Sequence, residues 1–168
     1  MPAPRFDSID WKILAALQQD ARISNVDLAE KVNLSPSPCL VRVKTLESAG
    51  VITRYVTLLD PPAVGLGVNV FVQVRLEKQI ETFLNAFERA VAGRPEVMEC
   101  FLMTGTSDYL LRVVVSDLLA FQDFVTDLSR ISGVGSIQSS VALKQVKYKT
   151  MLPLPEQDSR SGSRRCGK

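Results

Sequence analysis

At 168 residues with 46% hydrophobic side chains, the chain has room for one medium or two small units with a buried core, which excludes a disordered protein. A formal charge of +2, with seven basic and seven acidic side chains balanced over residues 1–60, excludes bulk charge as a source of nucleic-acid affinity; local placement and repeated sites have to supply any. Cys39, Cys100 and Cys166 form no CxxC pair and no histidine exists to join them, which excludes a zinc site and fits a reducing cytoplasm. No signal-like or membrane-spanning apolar run is present, so a cytoplasmic chain with no membrane partner is expected.

Residues 7–20, DSIDWKILAALQQD, set Ile9, Ile13, Leu14 and Leu17 at helical spacing behind Asp7 or Ser8 as N-cap, with Asp10 in the first turn. Trp11 lies off that stripe and is expected to pack at an edge. In ISNVDLAEKVNLSPSPCLVRVKTLESAGVI, residues 23–52, Ser24 is an N-cap with Asp27 as a short-armed capping-box partner, and Val26, Leu28, Ala29 and Val32 form an apolar face. Asn33-Leu34 makes a turn. Ser35 then caps a second helix that has Pro36 at its first position and Gly50 at its end.

In that second helix Cys39, Val43 and Leu46 make one inward stripe, and Ser37, Pro38, Val41, Arg42, Lys44 and Thr45 face outward. Small hydroxyl residues in the first turn with cations a turn later suit a recognition helix, whose first residues reach base edges in the major groove. A structural αα-hairpin has the same local signature.

The run SNVDLAEKVNLSPSPCLVRVKTLE, followed by AGVI, resembles the DNA-binding signature of the Lrp/AsnC family of bacterial and archaeal transcription regulators. The resemblance implies a helix-turn-helix that binds double-stranded operator DNA, with Ser35, Ser37, Pro38, Val41, Arg42, Lys44 and Thr45 facing it, joined to a ligand-sensing, dimerising domain. Val41 departs from the usual polar residue and would suit a thymine methyl.

VITRYVTLLD is β-branched and aromatic until Asp60-Pro61-Pro62 stops it, and reads as a linking strand within a hinge over residues 53–64. The resemblance implies that it pairs with its counterpart in another subunit. Strand text follows at 68–76, with Val68, Val70, Val72, Val74 and Leu76 on one face and Phe71 on the other; helix text at 80–91, with Phe83, Leu84, Phe87 and Val91 inward; strands at 97–103 and 109–115; a helix at 118–128; and a strand at 136–148. The order β-α-β-β-α-β predicts a ferredoxin-like antiparallel sheet with both helices on one face over residues 65–152. The expected class is α+β: a three-helix, winged-helix-like head over residues 1–52, this second domain, and a flexible tail over residues 153–168 whose Arg160, Arg164, Arg165 and Lys168 are read as solvated. Apolar residues on both sheet faces predict a second copy packed sheet against sheet.

CFLMTGTSDYLLRV is the second point of resemblance, because the family carries a Gly-x-x-Asp-Tyr turn that Gly105, Asp108 and Tyr109 match. Turn N–H groups can receive a carboxylate, Asp108 an α-ammonium, and Leu102, Met103 and Tyr109 can wall an apolar side chain, with Thr104 and Thr106 beside them. Alternatively, Asp108 bonds its own backbone in a plain hairpin. In the family the effector lies between subunits, which adds Val134, Ser136, Ser139 and Ser140.

LEKQIE, RPEVMECFLMTG, DYLLRV and LKQVKYKTMLPLP resemble family members that respond to branched-chain amino acids. The expectation is a DNA-binding regulator of amino acid metabolism, switched by leucine or another branched-chain or apolar amino acid, without a cofactor, as a homodimer that the family implies assembles to an octamer. The competing reading is an amino-acid sensor that acts by protein contact without DNA. An enzyme is excluded by content: there is no histidine, no metal-ligand spacing, no nucleophile elbow and no phosphate loop.

Overall fold

The computed structural model describes residues 6–155. They form two compact units: the residues up to Thr57 together with those from Lys147, and Leu58–Val146.

The first unit is a head of three helices, α1 (Ser8–Gln19), α2 (Asn25–Lys31) and α3 (Pro36–Ser48). Their ends are set by local chemistry. Asp7 accepts the N–H groups of Ile9 and Asp10 at 2.9 Å, and Asp10 accepts that of Asp7 at 3.1 Å, a reciprocal capping box. Ser24 caps α2 by accepting the Asp27 N–H at 3.1 Å. The short Asp27 carboxylate takes the Ser24 hydroxyl at 2.7 Å in place of its N–H, so the expected box closes only halfway. Asn33, at φ 57°, ends α2, with Leu34 N–H donating to the Ala29 carbonyl at 2.8 Å. Gly50, at φ 70°, ends α3 in the same way, with Val51 N–H donating to Leu46 at 3.0 Å. Asn and Gly are the residues that accept this left-handed position at least cost.

Ile13, Leu14, Ala16, Leu28, Ala29, Val32, Cys39 and Leu46 form the head's core. Burying Ile13 alone contributes about 1.5–3 kcal/mol. Val26, expected inward, is 61% exposed. It lies roughly 200° around the helix from Leu28, on the opposite side of a two-turn element. Trp11 packs edge-to-face on Phe6 with centroids 5.0 Å apart.

Two expected elements differ. Residues 53–61 form no strand, and β4 runs Val134–Val141 instead of 136–148. A strand needs a ladder partner, and β4 pairs only as far as Val70↔Val141, with Ala142 N–H donating to Asn69 near the start of the facing strand. Beyond it no strand among the described residues lies alongside to pair with. Residues from 147 instead join the head: Leu152 N–H donates to Gln18 Oε1 at 2.6 Å and Leu154 packs on the head's core. The tail cations lie outside the described residues.

The second unit runs β1 (Val68–Leu76), α4 (Glu81–Ala92), β2 (Val97–Leu102), β3 (Tyr109–Val115), α5 (Leu118–Ser129) and β4. Its sheet is antiparallel in the order β2-β3-β1-β4. Period-two alternation buries Val70, Val72, Val74 and Leu76 with Leu111 and Val113, against Phe87 and Val91 of α4 and Phe124 and Leu128 of α5. Gly133 (φ 89°) enters β4; a Cβ there would overlap the side chain of Phe83 of α4, so only glycine fits this approach. The face away from the helices carries Phe71, Phe101 and Leu110, with Arg112 pairing Glu99 at 3.2 Å.

Candidate functional site

Helix α3 follows α2 across the Asn33-Leu34 turn, and Asn25 Nδ2 donates to the Pro36 carbonyl at 2.8 Å, tying the two starts together. Ser35 has the N-cap backbone shape, yet its hydroxyl makes no capping bond, and α3 has no acid in its first turn whereas α1 has Asp10 and α2 has Asp27. Pro36 and Pro38 bring no N–H, so the first turn of α3 offers a phosphate the Ser37 N–H and the absence of a repelling carboxylate. Ser35, Ser37, Pro38, Val41, Lys44 and Thr45 are all exposed, Val41 by 61%. The Thr45 hydroxyl donates to the Val41 carbonyl at 2.8 Å and is committed to the helix itself.

Arg42 departs from the expected outward set. Its Nη1 donates to Asp7 Oδ2 and Asp10 Oδ1, both at 2.7 Å, so it lies against the start of α1 and is only partly exposed. With the capping box this engages all four oxygens of the two carboxylates. The Asp10 N–H and the Arg42 guanidinium hold the Asp7 carboxyl below its ordinary value, and the Asp10 and Asp7 carboxylates raise that of Arg42. Sequence showed the acids and the cation but not that they meet, because they are 32 and 35 residues apart.

In the second unit, the Met103–Asp108 turn and the Gly133–Ser136 turn flank the end of β1: Asp108 N–H donates to Val74 at 2.9 Å, and Glu77 N–H donates to Gly133 at 2.8 Å. Leu102, Met103, Thr104, Gly105, Thr106 and Ser136 are exposed at this end. Asp108 and Tyr109 are not open to a ligand. Asp108 is 5% exposed; it accepts the Leu76 N–H at 2.7 Å through Oδ2 and the Gln79 amide through Oδ1. Tyr109 is buried on Phe87, centroids 4.5 Å apart, and donates to Glu88 at 2.8 Å; burial, then that carboxylate, push its phenol well up.

Val134 packs on the core, and Ser139 and Ser140 fall on opposite faces, opposite Val72 and Phe71 respectively, so they cannot line one pocket. Arg75, which the sequence reading did not single out, is exposed opposite Ser136 on the face away from the helices, as counting by twos from Phe71 gives.

A capped helix pair whose second helix is exposed along one side and carries no acid in its first turn, in one chain with a sheet unit that has two turns at one end, fits a DNA-binding regulator with a sensing unit. Residues 6–53 match the winged helix-turn-helix DNA-binding family and residues 69–152 the Lrp/AsnC ligand binding domain. The chain belongs to the Lrp/AsnC family of transcription regulators, and like its relatives it is not an enzyme.

It is 48% identical over 149 residues to the Bkd operon transcriptional regulator of Pseudomonas aeruginosa, covering 88% of this chain and 97% of that one. It is 44% identical over 142 residues to the leucine-responsive regulatory protein of Rhizobium meliloti, covering 84% and 91%. A transcriptional regulator of Neisseria meningitidis crystallised with L-Met superposes with a TM-score of 0.85 at 44% identity, over 89% of this chain and 97% of that one. No helix among the described residues is long and apolar enough to cross a membrane.

Proposed function

We propose that the exposed face of α3 reads operator DNA and that a small apolar amino acid, leucine or a branched-chain or methionine-like relative, switches the protein from the turn end of the sheet unit. The observation that carries the reading is α3 itself: thirteen residues with no acid in the first turn and Ser37, Pro38, Val41 and Lys44 exposed along one side. The effector reading is supported by the leucine-responsive relatives and by the L-Met complex of the Neisseria protein.

Asp108 is committed to Leu76 and Gln79 and so is withdrawn from the effector's α-ammonium, while the effector's carboxylate is assigned to exposed donors at that end: Thr104, Thr106, Ser136 and the Arg75 guanidinium. Leu102 and Met103 supply apolar contact. Two copies packed through the open sheet face bring two heads to two half-sites, and further assembly, up to an octamer, completes the effector site between subunits. Effector and DNA each favour one arrangement of subunits, and so bias each other by about 1–3 kcal/mol.

Lys44→Ala is expected to lower affinity for any duplex and to flatten the dependence of log K on log salt by about 0.9 per head. Fluorescence anisotropy across a salt series reads it; an unchanged slope removes Lys44 from the interface. A thermal-shift screen against the twenty amino acids is expected to raise the melting temperature only with apolar members, because binding to the folded state adds RT ln(1 + [L]/Kd). A shift confined to polar amino acids would overturn the effector assignment.

A further inference from the structure

We propose that Asp7, Asp10 and Arg42 are positioning residues for DNA reading: the two carboxylates at the start of α1 hold Arg42, and through it fix the roll of α3. This rests on α3 being the helix that reads DNA. The head's apolar core joins α1 to α3 through side chains such as Ile13, Cys39 and Leu46, and apolar contact is non-directional: it sets the distance between helices far better than their rotation. The charged cluster supplies direction.

Arg42 lies in the middle of α3, one turn before Leu46 and on the side of α1, and Nη1 is fixed at 2.7 Å from each of two carboxylates that are themselves anchored to the α1 backbone. Asp10, with a side chain 17% exposed, is the shielded half of the pair, so its hold survives salt better than that of the open Asp7. The start of α3 has no capping bond from Ser35 and is held instead by Asn25 Nδ2 on the Pro36 carbonyl, a contact close to the helix axis that leaves the roll of the Arg42 turn to the carboxylates. Base edges are read by hydrogen bonds that tolerate only small angular errors, whereas phosphate contacts by flexible cations tolerate large ones. A recognition helix free to roll would therefore keep its general affinity and lose its discrimination.

The test compares a duplex selected from a random pool by the unaltered protein with a scrambled duplex of the same length, by anisotropy over a salt series. Arg42→Ala and Asp10→Asn are each expected to cut the ratio of the two affinities about tenfold while leaving the scrambled duplex and its salt slope unchanged, with Arg42→Lys recovering part of the ratio. Nη2 and Nε of Arg42 have no partner among the described residues, so direct DNA contact is the rival outcome. In that case Arg42→Ala weakens both duplexes and flattens the slope, whereas Asp10→Asn releases the guanidinium and strengthens both; this overturns the proposal. An unchanged ratio with a lowered melting temperature also overturns it, since a merely structural clamp alters the folded fraction for both duplexes alike. If Ser37→Ala and Lys44→Ala are silent on both duplexes, it is the reading of α3 that fails.

Discussion

Asp108→Ala lowers the stability of the Leu58–Val146 unit by about 2–4 kcal/mol, the cost of leaving a buried donor without its charged acceptor. The carboxylate is nearly inaccessible, and it accepts the Leu76 N–H where β1 leaves the sheet and the Gln79 amide just beyond. Alanine offers neither an acceptor; the exposed Gln79 can turn to water, but the buried Leu76 N–H is left without its partner. A two-state domain of this size shifts by roughly 4–8 °C for each kcal/mol, so the calorimetric transition of this unit drops well clear of error. Asp108→Asn keeps one carbonyl acceptor and is expected to cost about half as much. A variant that melts like the parent protein but no longer responds to any amino acid would return Asp108 to the ligand site.

Asp108 also marks where sequence reading ends. Gly105, Asp108 and Tyr109 announce a turn with a carboxylate in it, which is local information, and a turn with a carboxylate can face a ligand or fold inward. The partners that decide the matter, Leu76 and Gln79, lie 32 and 29 residues upstream. Arg42 is the same case: its place on α3 follows from spacing, but its direction is set by Asp7 and Asp10 on another helix.

What could be read was local chemistry. Asp7, Ser24, Asn33, Pro36 and Gly50 fix the helix ends of the head by capping and by backbone conformation within a few residues, and the alternation of Val70, Val72 and Val74 fixes the buried face of β1. Residues 143–148 show the limit of pattern: Val146 and Tyr148 suit a strand, yet strands exist by pairing, and β1 reaches only one residue beyond the Asn69 that Ala142 bonds. Ser139 and Ser140 were separable all along, because neighbours on a strand face opposite ways.

On the proposed sheet-to-sheet pairing, Phe71→Lys is expected to reduce the mass in light scattering to that of the single chain and to lower affinity for a two-half-site duplex by about 10²–10⁴, the advantage that linkage of two heads confers. Phe71 is 40% exposed in the single chain and lies on the face opposite α4 and α5, next to Leu110 and Arg112 of the neighbouring strand, so lysine there leaves the helix-side core of Val70 and Val72 undisturbed. The same face carries Phe101 and the Glu99–Arg112 pair, which neutralises the one strong cation of β3 and leaves a surface fit to meet its own copy. In an isologous contact each substitution acts twice: two ammonium groups are brought toward one axis and both lose water, with no carboxylate beyond the already paired Glu99 on that face of β2 to receive them. Binding of a single half-site by the monomeric variant should persist with the parent's per-head salt slope, because α3 is unchanged. An assembly of unaltered mass would show that the open sheet face is not where the copies join, and the route from effector to paired heads would have to run through another surface.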